Sequence, residues 1–319
     1  MKKIAAVITM LCMSGLAWAQ TYPSRAVKVV VPWPPGQATD IAARVVAQKL
    51  QESLGQPFVI ENKPGAGGAI GSDAVAKGTP DGYTLLAASS GPLSIMPNLQ
   101  KVPYDPLKDL APISLVAAVP FALVTHPSFP AANAREFVAL MKANPGKYTF
   151  SSSGTGATAH LFTELFNSMA GIEARHVPYK GTAPAITDII NGQISYTIET
   201  VAATVGHVKS GRLKAYGVST VRRAGAMPDV PPLAEVTGLP YDAAAWIGYA
   251  APPGTPREVL LRVSSEIQKA LQSEEMKERF ATLGLDPVSS TPDEMAAFMR
   301  REQERYATII RNANIKIEQ

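Results

Sequence analysis

WPPGQATD, residues 33–40, follows the apolar run VKVVV at 27–31 and precedes IAARVVAQKLQESLG at 41–55. The order spells strand, tight loop and amphipathic helix. Proline and glycine set the turn, Thr39 or Asp40 is placed to cap the helix, and first-turn amides have no intrahelical acceptor. Those amides point at whatever occupies the loop, which makes it an anion site. A second loop of this kind reads SSSGTGATAH at 151–160, so the chain offers two helix N-termini to one anionic ligand.

The first residues set the compartment. Lys2 and Lys3 precede an apolar stretch from Ile4 to Leu16, too short for a membrane span, and Ala17, Trp18 and Ala19 form an A-x-A cleavage site. Residues 1–19 therefore read as a signal peptide, cleaved after Ala19, and the mature chain is expected in the periplasm. Cys12 is the single cysteine and lies in the leader, which leaves no thiol chemistry, disulfide or thiolate metal site in the mature protein. Without the two leader lysines, 28 basic residues face 26 acidic ones, a formal charge of +2. That balance argues against a nucleic-acid surface, which needs clustered basic residues.

About 300 mature residues suit two domains, and the 46% apolar content fills both. Strand-like runs fall at 27–31, 57–61, 83–88, 112–124, 147–151, 173–177, 194–199, 213–219 and 245–251. Helical patterns fall at 38–54, 68–78, 133–143, 158–170, 182–191 and 256–273, and a charged amphipathic helix spans 292–314. Alternation of this kind implies an α/β protein with parallel sheet and helices on both faces.

Seven ordered segments carry a resemblance that spacing alone does not supply. They are YPSRAVKVVVPWPPGQATDIAAR, VIENKPGAGGAIGSDAVAKGTPDGYTLL, SSSGTGATAHLFTELF, HVPYKGTAPAITDIINGQI, GRLKAYGVST, MPDVPPLAEVTGLP and WIGYAAPPGTP. Over its mature length the chain resembles the periplasmic solute-binding receptors of tripartite tricarboxylate transporters, the Bug-type receptors. The resemblance implies a type II periplasmic binding fold, two α/β lobes that close on a ligand like a flytrap. It also implies a small organic acid as ligand, a membrane permease as partner, and no catalysis, cofactor or metal. A monomer is expected. Lobe 1 is expected from residues 20–122 and 244–319 and lobe 2 from 123–243, with hinges near Phe121–Thr125 and Trp246–Ala250.

The expected ligand set follows from the loops and the resemblance together. Trp33, Pro35, Gly36, Gln37, Ala38, Thr39, Ser89 and Ser90 come from lobe 1. Lobe 2 supplies Ser152, Ser153, Gly154, Thr155, Gly156, Tyr179, Lys180, Gly181, Glu199 and Thr200. This chain departs from the family near that set. Gln37 stands where the family commonly has a glycine, Trp33 where a smaller aromatic is usual, and Ser195, Glu199 and Thr200 in a segment that commonly runs Asp-Leu-Met-Phe-Asp-Asn.

Other motifs have plainer readings. GAGGAIG at 65–71 breaks the G-x-G-x-x-G spacing and reads as a turn with close helix packing. Ser152 and Ser153 lack a G-x-S-x-G elbow, and no histidine is spaced to serve them, which argues against the rival reading of an exported serine hydrolase. His160 reads as structural, while His126, His176 and His207 lie on separate elements. Lys180 is either solvated or in the cleft. Glu199 either faces the ligand or bonds from lobe to lobe. A ligand-presenting partner of a sensor kinase shares the binding step and differs only downstream.

Overall fold

The computed structural model describes residues 22–312, so the expected leader lies outside the described residues. Ten strands alternate with helices: β1 Val27–Val31, α1 Ala38–Leu54, β2 Phe58–Asn62, α2 Ala69–Ala76, β3 Thr84–Ser89, α3 Met96–Leu99 and β4 Ala111–Thr125. Then come α4 Ala134–Lys142, β5 Thr149–Ser152, α5 Thr158–Ala170, β6 Arg175–Pro178, α6 Thr182–Ile190, β7 Tyr196–Thr200, α7 Val201–Lys209 and β8 Lys214–Val218. The chain closes with α8 Leu233–Thr237, β9 Ala244–Ala251, α9 Arg257–Gln272, α10 Glu274–Thr282, β10 Asp286–Pro287 and α11 Pro292–Asn312.

Helices α1 and α5 match the sequence expectation at both ends because each is stopped by a glycine in the left-handed region, Gly55 at φ 73° and Gly171 at φ 64°. Between β2 and α2, the GAGGAIG segment forms a 3₁₀ turn at Ala66–Gly68. A Cβ on Gly71 would lie 2.7 Å from the Lys63 carbonyl and 2.9 Å from Pro32 Cα, so only glycine lets α2 sit this close to the first loop.

The sheet is mixed, not parallel as alternation implied. Its order is β2-β1-β3-β9-β4-β7-β5-β6, with β8 and β10 also on β4. Strands β1, β2 and β3 are mutually parallel, as are β5, β6 and β7. Antiparallel pairs join β3 to β9, β9 to β4, and β4 to β7 and β8. Periodicity identifies a strand but not its direction, which the return path of the chain decides.

β4 is the spine. Its first part, Ala111–Pro120, pairs with β9, and its last part, Phe121–Thr125, pairs with β7 and β8. At 15 residues it is long for one sheet. Pro120, which has no N–H to give a ladder, sits where the partners change.

Strand direction then orients the two halves. β9 is antiparallel to both β3 and β4, so β1–β3 run the same way as β4 and their carboxyl ends point toward the second half. β7 opposes β4, so β5–β7 run back and their carboxyl ends point toward the first half. The fold is the two-lobe periplasmic binding type, with the two carboxyl edges facing each other.

The lobes share one apolar core. Phe121 packs edge-on against Phe162 of α5 at 4.9 Å between ring centres, and Phe162 stacks on Tyr306 of α11 at 6.1 Å. All three rings are buried. At the crossing, the fully buried Ser219 ties the passing strands: its Oγ accepts from the Phe121 amide at 2.9 Å and donates to the Ala243 carbonyl. Its own amide donates to the Phe121 carbonyl at 2.8 Å, and its carbonyl accepts from the Ala243 amide at 2.8 Å. Trp246–Ala250, expected at a hinge, instead pair with β4 and β3 inside the first sheet.

Candidate ligand-binding site

Six loops leave the two facing carboxyl edges, and the WPPGQATD and SSSGTGAT loops are built alike. In the first, α1 begins after Gln37, whose backbone is extended (φ −79°, ψ 160°) and whose side chain makes no cap hydrogen bond. Neither Thr39 nor Asp40 occupies the cap position expected for it. Asp40 is instead the third helical residue and reaches back, its Oδ2 accepting from the Gly36 amide at 2.9 Å. In the second, α5 begins after Ala157, extended at φ −66°, ψ 157° and likewise without a side-chain cap. His160 is the third helical residue and its Nδ1 accepts from the Gly156 amide at 3.0 Å. Each loop is thus closed one residue before its cap. The first-turn amides Ala38 and Thr39, and Thr158 and Ala159, are left without a capping side chain of the chain's own.

Asp40 is 2% exposed and holds the first loop together. Its Oδ1 also accepts from Asn62 Nδ2 at 2.8 Å, and Arg44 Nε lies 3.0 Å from Oδ2. Burial alone would raise the carboxyl's pKa, but the Arg44, Gly36 and Asn62 hydrogen bonds outweigh it and hold the group below the usual range. Trp33 Nε1 donates to Ser89 Oγ at 2.9 Å, joining the loops after β1 and β3, and Ser90 is buried beside it. Pro35, Gly36 and Gln37 are exposed at the edge.

In the second loop Ser153, Gly154 and Thr155 are open to solvent to differing degrees, while Gly156 is buried. Ser152, expected as a ligand donor, is fully buried and committed. Its Oγ donates to the Gly154 carbonyl at 2.9 Å, accepts from the Gly154 amide at 3.2 Å, and lies 2.7 Å from His176 Nε2. The expectation that no histidine reaches this serine is therefore corrected. Parallel pairing sets Phe150 opposite His176 and brings the imidazole to Ser152 across 24 residues of sequence. The Gly154 carbonyl and His176 Nε2 compete for the single hydroxyl proton, and the imidazole tautomer decides which of them receives it.

His160 and His176 stack face to face at 3.8 Å and 7°. Burial, and for His160 the neighbouring ring, pushes both down to about 4 from 6.5. Protonating His160 at Nδ1 would set N–H against the Gly156 N–H and open the loop. The unfolded chain takes up these protons near 6.5, so the two rings withdraw stability as pH falls from about 6.5 toward 4. The effect is on the order of 3 kcal/mol for His160 and less for the partly exposed His176. Imidazole resonances followed by NMR are expected to stay neutral at pH 5.5; midpoints near 6.5 would contradict this.

The third loop of lobe 2 differs from expectation. The Gly181 amide, expected to meet a ligand, donates to the Ser153 carbonyl at 3.3 Å, and Tyr179 OH donates to Asp188 Oδ2 at 2.6 Å. Burial, then Asp188, pushes the Tyr179 hydroxyl up to about 12. Lys180 is exposed. Among the described residues Glu199 does not bond from lobe to lobe: it is 3% exposed, Oε1 accepts from the Thr200 amide at 2.8 Å and Oε2 from Thr182 Oγ1 at 3.2 Å. Desolvation pushes its carboxyl above the ordinary range against those two hydrogen bonds. Glu199 thus links the first residue of α6 to the residue before α7, and α6 and α7, like α1 and α5, begin without a side-chain cap. Sequence reading missed α7, whose second residue, Ala202, lies so close to Gly284 that a Cβ there would sit 2.5 Å from its Cα. Among the described residues no group of three or more His, Cys, Asp or Glu could hold a metal.

The family model described as the tripartite tricarboxylate transporter family receptor matches residues 42–315. The chain belongs to this family. BugT of Bordetella pertussis is 41% identical over 304 residues, covering 94% of this chain and 92% of BugT. Among solved structures, R. palustris Rpa4515 with adipate superposes at TM-score 0.81 with 32% identity, over 92% of this chain and 99% of that one. MatC from Rhodopseudomonas palustris with bound malate gives TM-score 0.76 and 30% identity, over 91% and 100%. Family members are periplasmic solute-binding receptors that serve a tripartite transporter, and among the described residues no helix is long and apolar enough to cross a membrane.

Proposed function

We propose that this receptor captures a small organic acid with two carboxylates between its lobes and hands it to its permease without altering it. The observation that carries this is the pair of facing helix N-termini, each tied back by its third residue and each without a side-chain cap. A carboxylate placed there accepts amide hydrogen bonds and gains from two helix dipoles. Adipate and malate, bound by two structural relatives, are both dicarboxylates.

The reading divides the chain at 20–122 and 244–319 for lobe 1 and 123–243 for lobe 2, works as a monomer, and begins after cleavage at Ala19. Gly36, Gln37, Ala38 and Thr39 meet the ligand from one side. Ser153, Gly154, Thr155 and Gly156 meet it from the other. Trp33, Pro35, Ser89, Ser90 and Thr200 shape the walls, whereas Ser152, Tyr179, Gly181 and Glu199 act by holding the loops and Lys180 is exposed beside them. The close Ser152–His176 contact favours a hydrolase only in distance. The serine is fully buried, and no carboxylate contact to His176 exists among the described residues.

A thermal-shift series with adipate, malate, succinate and the neutral control adipamide tests the proposal. A dicarboxylate at a hundred times its Kd is expected to stabilise the protein by about 2.7 kcal/mol. Stabilisation by adipamide as large as by adipate would contradict a carboxylate site.

A further inference from the structure

Glu199 stands beside the start of the second ligand loop. Strand β5 lies between β7 and β6, and parallel pairing sets Phe150 beside Tyr196 and Ser152 beside Pro178. Continued by one residue, that register puts Ser153 between Glu199 on one side and Tyr179 on the other. Glu199 Oε2 accepts from Oγ1 of Thr182, the first residue of α6, so this bond reaches across the end of β5 where the SSSGTGAT loop begins. The Gly181 amide on the Ser153 carbonyl and the Thr197 hydroxyl on the Ser151 carbonyl fasten the same place from either side.

A carboxyl in this position is short of positive charge. It is 3% exposed, and its two donors, the Thr200 amide and the Thr182 hydroxyl, are neutral. The elements packed around β7 bring no cation to it. β4 and β5 carry no charged residue. On α6, Asp188 is engaged by the Tyr179 hydroxyl, and on α7 His207 and Lys209 stand in the last turn, away from Glu199. On α5, His160 Nε2 lies 3.8 Å from Glu164 Oε1, and His176 of β6 is held on Ser152. Both imidazoles stay neutral down to about 4. Lys180, ahead of α6, is exposed. The amide ends of α6 and α7 favour the ionised carboxyl, while burial opposes it and pushes the group above its ordinary range. A carboxylate arriving at the first turn of α5 brings a second negative charge to the same loop and favours the neutral form further.

We propose that the receptor takes up its acid together with one proton from solvent, and that Glu199 holds this proton beside the loop. The proposal rests on the reading of the cleft as a carboxylate site. Protonated, Glu199 keeps both of its bonds: Oε1 still accepts from the Thr200 amide, and Oε2–H donates to Thr182 Oγ1, the reverse of the bond that an ionised carboxylate accepts. Glu199 is thus a positioning residue that acts through charge and through the loop, without contact to the acid. Because the filled receptor carries more protons than the empty one, affinity falls as pH rises from the midpoint of the free carboxyl to that of the bound one.

Two measurements on the mature protein test this. In the empty receptor the ¹³C resonance of the Glu199 carboxyl, assigned by its loss in Glu199→Gln, is expected to titrate above the usual carboxylate range; a midpoint at or below the ordinary 4.5 overturns the proposal whatever the ligand. Calorimetric titration with adipate, malate and succinate, in phosphate and in Tris at pH 7.5, is expected to show proton uptake with each acid that binds. Affinity should fall by about tenfold between pH 7 and 8.5, a range in which these acids are themselves ionised. Glu199→Gln mimics the neutral carboxyl and is expected to bind with no proton uptake and with an affinity that is flat over that range. Binding without uptake by the wild type, or uptake that persists in Glu199→Gln, overturns this proposal and leaves the carboxylate site standing. Failure of all three acids to bind overturns the carboxylate reading and this proposal with it.

Discussion

Asp40→Ala is expected to lower the stability of the receptor by about 2–4 kcal/mol and to weaken its acid at least tenfold. The carboxylate is buried and accepts from the Gly36 amide, Asn62 and Arg44. A hydrogen bond to a charged group contributes roughly 1.5–3 kcal/mol, and Arg44, half-exposed, recovers part of its loss in water. Gly36 and Asn62 recover less. The melting midpoint should fall by about 5–10 °C. Binding suffers separately, because the Gly36 amide then competes with the first-turn amides and the loop that aims them is no longer fixed. Calorimetry at a temperature where the variant is folded separates the two effects. A variant that is less stable but binds with unchanged affinity would remove this loop from the site.

Ser219→Ala should cost about as much by a different route. The serine hydroxyl bridges the Phe121 amide and the Ala243 carbonyl, the two strands that pass between lobes, in a fully buried position. Alanine leaves both groups unpaired at about 1–3 kcal/mol each, partly relieved by local shifts. Since both orphaned groups lie at the crossing, lobe movement should loosen along with global stability. The expected result is a Tm lower by about 5 °C together with faster amide exchange at 121 and 243. Exchange rates there equal to wild type would mean that Ser219 is packing and not a tie.

The sequence made the local pieces legible and left their mutual placement open. α1 and α5 could be bounded to the residue because Gly55 and Gly171 stop them and loops rich in glycine start them. The 15-residue β4 was visible as one apolar run, but nothing in its composition told that it would serve two sheets or that β9 would oppose it. Both loops were recognised as helix starts. The device that closes the first was misplaced, because Asp40 acts from the third helical position and not from the cap, whereas His160, read as structural, closes the second from the same position. Contacts such as Ser152 with His176, or Glu199 with Thr182, depend on the register of parallel strands and lie beyond any local pattern. For α7, the stretch VAATVGHVK combines β-branched residues with a glycine, and its helical state comes from docking beside β7 and β4.

In the proposed function one acid is held by amides of both lobes at once. Hydrogen–deuterium exchange at single-residue resolution, with and without the acid that gives the largest thermal shift, tests it most directly. The amides of 38–40 and 158–160, which have no intrahelical acceptor, are expected to slow together and with the same dependence on ligand concentration. Protection confined to one of the two loops, or absent from both while the acid binds, would contradict it.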